Sequence, residues 1–150
     1  MLFRSRDFHS PNLLWLAERE GADRVGVIDF QDAVIGHPAY DVGSLVFDAR
    51  VPVSEVLAAH LIEHYFHERR KSDPEFDTVA FTHAFALFSA QRLTKILGIF
   101  VRLDQRDGKP DYLKNIPMVE EYLRRNLKHS ALGDIKAWYA ENVPDLLSST

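Results

Sequence analysis

Two short apolar runs separated by a charged bend constrain this chain more than any other feature in it. Residues 13–16 (Leu-Leu-Trp-Leu) and 25–28 (Val-Gly-Val-Ile) are too short for independent helices, and residues 18–23 between them are mostly charged, with Gly21 available for the bend. Short, partly β-branched runs bounded by turn residues read as paired strands, so an antiparallel β-hairpin is expected here. The pairing has a chemical consequence. Asn12 at the start of one strand and Asp29 at the end of the other would lie at the same end of the ribbon, where two oxygen ligands converge.

Hard oxygen ligands suit Mg²⁺, which sits about 2.0–2.1 Å from them and is usually held by one or two protein groups together with phosphates and water. Asn12 and Asp29 fit that role. Asp7, five positions before Asn12, fits a base or orienting group for an incoming hydroxyl, because the protein's part in phosphoryl transfer is positioning and charge neutralisation. The Asp-x-x-x-x-Asn spacing alone is common in turns. The hairpin that follows and its Asp29-Phe30 ending give it weight.

These residues carry a resemblance. Arg6-Asp7 with Asn12 resembles the catalytic loop of protein kinases, and Asp29-Phe30 resembles their metal-binding Asp-Phe-Gly. The variant Asp7-x-His9-x-x-Asn12, followed by Ile28-Asp29-Phe30-Gln31-Asp32-Ala33 and Gly36-His37-Pro38-Ala39-Tyr40-Asp41, looks like the aminoglycoside phosphotransferase and choline kinase branch of that fold. Within the branch, residues 6–16 and 91–103 look most similar to bacterial sugar kinases that phosphorylate the anomeric hydroxyl of N-acetylmuramate or N-acetylglucosamine. The motif match is close from Asp7 to Asp41 and loose over the helical remainder. Two departures stand out: Ser5 occupies a position that is usually His or apolar, and no Gly follows Asp29-Phe30.

The resemblance implies Asp7 as the catalytic residue, Asn12 and Asp29 as metal ligands, and ATP with Mg²⁺ as cofactors. It places Leu14 and Ile28 near the floor of the adenine pocket; read without it, they are ordinary buried strand residues. It makes Asp41 a brace of the catalytic loop, where the plain reading is a first-turn helix acid favoured by the dipole. The family carries a β-rich nucleotide lobe ahead of this loop, and the sequence shows none before Asp7. The expectation is therefore a truncated chain, inactive by itself, with a missing N-terminal lobe as partner. Alternatively it self-associates through the apolar face of Leu14, Trp15 and Ile28 with Leu2 and Phe3.

Composition narrows the rest. At 150 residues, 46% hydrophobic and 27% charged, the chain is expected to form one globular domain. A net charge of -4 argues against nucleic acid as a partner, since that affinity rests on clustered Lys and Arg. The runs Arg69-Arg70-Lys71 and Arg124-Arg125 are short, flanked by acids, and read as solvated helix ends. No cysteine is present, no segment approaches the roughly 20 consecutive apolar residues of a membrane span, and no secretory signal is visible at the N-terminus. A cytoplasmic setting without membrane partners is the expectation.

Taken in order, residues 1–6 read as a strand remnant or frayed lead-in, and residues 32–37 as a loop broken by Gly36. Pro38 suits the first turn of a helix running through Tyr40, Asp41, Leu45 and Val46 toward Ala49. Ser54 is an N-cap for a helix to about Arg70, with Val56, Leu57, Leu61, Ile62, Tyr65 and Phe66 as an apolar stripe. His60, His64 and His67 share a flank of it, but no acidic third ligand accompanies them as a zinc site would need. A longer helix follows, with Phe76, Val79, Ala80, Ala84, Leu87, Phe88, Leu93, Ile96, Leu97, Phe100 and Val101 in helical phase. Gln91, Arg92 and Lys95 interrupt it as either a substrate-facing cleft wall or an internal ion pair. A turn at residues 107–110 leads past Pro117 to an amphipathic helix with Val119, Tyr122, Leu123 and Leu127 inward. Gly133 breaks or opens the last helix, Pro144 closes it, and Trp138 reads as core rather than a sugar-stacking platform.

The expected architecture is a single domain, 1–150, mainly α with a small β-hairpin, resembling the C-terminal lobe of a kinase-like α+β fold. It would combine a catalytic loop and metal hairpin (5–32) with a helical substrate-side part (38–150). Two function classes follow: the catalytic lobe of an ATP-dependent phosphotransferase acting on a sugar or amino-sugar hydroxyl, or a non-catalytic remnant or binding module that keeps the fold. The acceptor lies in pocket shape and is not written in these motifs.

Overall fold

The computed structural model describes residues 2–148, with side chains described from Arg4 onward, so the expected contribution of the Leu2 and Phe3 side chains lies outside the described residues. The chain is mainly helical and gathers into two compact units, one up to Thr78 and one from Val79 onward.

The first unit contains β1 (Leu2–Arg4), a 3-10 turn (Ser10–Asn12), β2 (Leu13–Trp15), a second 3-10 turn (Gly21–Arg24), β3 (Val25–Val27), β4 (Val34–Gly36), α1 (Ala39–Val46) and α2 (Glu55–Ser72). The expected hairpin is present: β2 and β3 pair antiparallel, with Leu13 opposite Val27, Leu14 opposite Gly26 and Trp15 opposite Val25. A second antiparallel pair joins β1 to β4, with Leu2 opposite Gly36 and Arg4 opposite Val34. The sequence expectation of a loop at 32–37 is thereby corrected. Three-residue strands show no periodicity of their own, and this one is stabilised by a partner some thirty residues away. At Gly36 a Cβ would stand 3.2 Å from the Arg4 guanidinium, a tight approach that a side chain could make only if the guanidinium shifted by a few tenths of an ångström. That guanidinium stacks over the Tyr40 ring, 4.5 Å from its centroid.

Pro38 caps α1 from outside, and the helix ends at Val46, short of Ala49, with Phe47 leaving helical dihedrals (φ -111°, ψ 56°). Ser54 caps α2, its Oγ accepting the Leu57 N–H at 3.2 Å. The expected apolar stripe is only partly inward: Val56 and Leu57 are exposed, and Ala58 is the buried residue of this helix.

The second unit is built on α3 (Thr78–Asp107), with α4 (Ile116–Asn126), α5 (Gly133–Asn142) and α6 (Pro144–Ser148). On α3 the buried residues include Phe81, Phe85, Leu93, Ile96 and Phe100, the last three from the apolar set read in the sequence, whereas Val79, Leu87 and Val101 of that set are exposed. Gly108, at φ 61°, ends the helix in the left-handed conformation that glycine adopts without penalty. Asn126 Nδ2 donates to the Ala86 carbonyl at 2.9 Å, and the Tyr139 hydroxyl bonds Thr94 Oγ1 at 2.6 Å, which ties α4 and α5 to α3. Val119, Tyr122, Leu123 and Leu127 are buried as expected. Two expectations fail here. Trp138 is 54% exposed, packed edge-on to Tyr139, and Pro144 opens α6 instead of closing α5, in keeping with the preference of proline for a first helical turn. Among the described residues α3 alone has the length and composition to cross a membrane, but it carries the buried Arg92 near its centre and packs as the core helix of this unit.

Candidate active site

The loop between β1 and β2 is shaped by hydrogen bonds to its backbone. Arg6 has φ 69°, a left-handed conformation uncommon for a residue with a side chain. The carboxylate of Asp41 in the first turn of α1 holds it there, Oδ2 accepting the Ser5 N–H at 2.6 Å and Oδ1 the Arg6 N–H at 3.1 Å. Ser5 itself is buried, and its Oγ accepts the Asp7 N–H at 3.3 Å. Burial pushes the pKa of Asp41 upward; the Ser5 and Arg6 N–H groups and the Arg4 charge oppose that shift without cancelling it.

Asp7 is the focus of the next turn. Its carbonyl accepts the His9 N–H at 3.1 Å, His9 Nδ1–H at 3.0 Å and Asn12 Nδ2 at 3.0 Å, and its carboxylate Oδ2 lies 3.3 Å from the same Asn12 nitrogen. His9 is buried while the Asp7 side chain is 44% exposed, so the loop is anchored inward and offers its carboxylate outward. The Ser10–Asn12 turn closes with the Asn12 N–H on the His9 carbonyl at 2.9 Å.

The hairpin ladder then brings Asp29 to this end. Ile28 N–H donates to the Asn12 carbonyl at 3.0 Å, one step beyond the Leu13–Val27 pair, and Asp29 follows with φ 58°. One Asp29 oxygen, Oδ1, accepts from Gln31 Nε2 at 2.6 Å. Leu14 and Ile28 share a face of the ribbon, since Leu14 opposes Gly26 and Ile28 follows Gly26 by two residues. They are 46% and 43% exposed, which corrects the plain reading of them as buried strand residues.

A largely apolar cleft of about 690 Å³ opens beside the loop, lined by Ser5, Phe8, Asp41, Val42, Tyr65 and Glu68 among others; Asp7, Asn12 and Asp29 do not line it. Gln91, Arg92 and Lys95 lie on α3 in the second unit, Arg92 buried and the other two exposed. His60, His64 and His67 are exposed on α2, and among the described residues no three of His, Asp and Glu gather to hold a metal.

His9 enters the sequence reasoning only as a motif position, without the buried anchoring role it has here. Asp48 escapes it altogether: it is fully buried, with Oδ2 accepting the Ser10 N–H at 2.8 Å and Oδ1 the N–H groups of Arg50 at 2.8 Å and Val51 at 3.2 Å. A signal for Asp48 existed, since an acid among Val46, Phe47 and Ala49, seven residues after Asp41, has no reason to be there unless something donates to it.

The sequence matches the phosphotransferase enzyme family over residues 6–80. It is similar to the N-acetylmuramate/N-acetylglucosamine kinase of Caulobacter vibrioides, 45% identical over 143 residues that make up 95% of this chain and 38% of the relative. The enzymes of the same name from Neisseria meningitidis (37% identical; 93% of this chain, 41% of the relative) and Pseudomonas putida (33% identical; 88% and 39%) are also similar. The chain thus spans about two-fifths of the length of these curated relatives.

Proposed function

This chain belongs to the phosphotransferase enzyme family, and on that premise we propose that it is the catalytic-loop half, the C-terminal lobe, of an ATP- and Mg²⁺-dependent kinase for the anomeric hydroxyl of an N-acetylated amino sugar. The observation that carries the reading is the junction of Asp7, Asn12 and the hairpin ladder. The Nδ2 of Asn12 is committed to Asp7, which leaves its Oδ1 as a ligand oxygen, and the Ile28-to-Asn12 backbone bond brings Asp29 to the same end of the ribbon.

The donor set fits Mg²⁺: one amide oxygen and one carboxylate, both hard, with Asp29 keeping its second oxygen outside the Gln31 bond. Asn12 and Asp29 would hold the ion, which when bound neutralises the charge of the nucleotide phosphates. The Asp7 carboxylate, exposed at the mouth of the loop, orients the acceptor hydroxyl and takes its proton. Asp41 keeps Asp7 in place through Ser5 and Arg6. The open apolar face of Leu14 and Ile28 takes the adenine, and the phosphate-covering contacts come from polypeptide beyond the two-fifths matched here. ATP as donor goes with a cytoplasmic setting.

The test is a Mg²⁺ titration with and without ATP, following the amide resonances of Asn12 and Asp29. Both should respond weakly to the ion alone and at lower concentration when triphosphate is present. A folded sample that responds under neither condition sinks the assignment.

A further inference from the structure

Two carboxylates hold the loop that carries Asp7 and Asn12, and they grip its opposite ends. Asp41 takes the N–H groups of Ser5 and Arg6, immediately before Asp7, while Asp48 takes that of Ser10, which begins the turn ending at Asn12. They stand seven residues apart, one in the first turn of α1 and the other two residues past its end.

A fully buried carboxylate is unfavourable unless donors meet its oxygens. For Asp48 the donors divide in an informative way. Oδ1 serves its own neighbourhood, accepting from Arg50 and Val51, which is what a carboxylate that merely turns the chain after a helix would do. At the surface, water would satisfy the second oxygen. Here Oδ2 is spent instead on Ser10, 38 residues away in sequence. The Asn12 side chain is oriented by Asp7 and its backbone by the His9 carbonyl, but neither bond fixes where the turn begins.

We infer that Asp48 is a positioning residue for the metal site: through Ser10 it sets the turn that aims Asn12 Oδ1, a task separate from that of Asp41, which sets Asp7. The inference rests on the proposed reading of Asn12 as a Mg²⁺ ligand.

It is tested on the folded chain by the same Mg²⁺ titration with ATP, read at the Asn12 amide in Asp48→Asn, Ser10→Pro and Ser10→Ala. Asparagine replaces one oxygen by an N–H group, so donor faces donor at Ser10 or at Arg50 and Val51. Ser10→Pro removes the donating N–H; His9, at φ -141° and ψ 163°, already has the conformation that precedes proline, and proline is tolerated at the start of a helical turn. Ser10→Ala keeps the N–H and should titrate like the parent. Asp48→Asn and Ser10→Pro should need roughly 10–100-fold more Mg²⁺, the range found when groups that orient metal ligands are removed. Amide exchange in α2 should stay unchanged in both. If Asp48→Asn fails to fold, Ser10→Pro decides alone. A folded Ser10→Pro that titrates like the parent, or Ser10→Ala that weakens as much, overturns the inference and leaves Asp48 a cap of residues 50–51. A parent chain with no response at Asn12 removes the metal reading itself, and this inference with it.

Discussion

The side-chain amide of Asn12 lies 3.0 Å from the backbone carbonyl of Asp7 and 3.3 Å from its carboxylate, so a single nitrogen ties the two ends of the loop together. The bond orients both residues at once. Asn12 turns its oxygen away from Asp7, and Asp7 retains an exposed carboxylate whose other oxygen is not engaged by Asn12. The proposed base and the proposed metal ligand are thereby held side by side with little freedom, which is the positioning that phosphoryl transfer would demand of them.

The catalytic assignment is tested by placing this chain in register within the full-length Caulobacter relative, of which it matches 38%. Asp7→Asn in that chimera should lower turnover by roughly 10²–10⁴-fold, the loss typical of a general base, with nucleotide binding and folding nearly intact. Asp29→Asn should lose both binding and turnover. If Asp7 were only a turn residue, asparagine would serve as well, so turnover within about threefold of the parent would remove the assignment. The 150-residue chain alone should fall far below the roughly 1–100 s⁻¹ usual for kinases.

Asp41 gives the loop a pH dependence of determinate sign. Its pKa is raised, first by burial, so the folded state binds the proton more tightly than the unfolded chain. Its contribution to stability is then fully present below the ordinary carboxylate value of about 3.9 and is lost as pH rises through the raised value. Urea unfolding of the parent and Asp41→Asn between about pH 3.5 and 6 should show the parent losing ground relative to the variant as pH rises. Parallel curves would contradict the shift.

The hairpin leaves Leu14 and Ile28 exposed on one face and the cross-strand pair Trp15 and Val25 exposed on the other. Exposed apolar surface of this kind marks an interaction face or an aggregation liability. The chain should self-associate by light scattering at roughly 100 μM, a concentration where such a patch tells, and Leu14→Lys should reduce that association. A clean monomer in both samples would count against it.

Ser54→Ala removes the oxygen that accepts the Leu57 N–H and should destabilise the chain by about 1 kcal/mol, the usual value of an N-cap. Ser54→Asp should restore most of it. Equal thermal midpoints for parent and alanine variant would show that α2 begins elsewhere.

What the sequence determined by itself is local. The hairpin strands, the Ser54 cap, the Gly108 stop and the Asn12-to-Asp7 side-chain bond all depend on residues close together in the chain, and spacing expresses them directly. The tertiary structure decided whatever depends on a distant partner. β4 exists because β1 pairs with it, and Asp48 matters because Ser10 donates to it from 38 residues away. Likewise Val56, Leu57, Val79 and Trp138 have the periodicity or size of core residues, yet they are exposed. Helical phase says which residues share a face, and only the packing of other elements says which face is covered. The physical reason is common to all of these cases: propensity and spacing act within a few residues, whereas burial and the pairing of a desolvated polar group are settled only when remote segments meet.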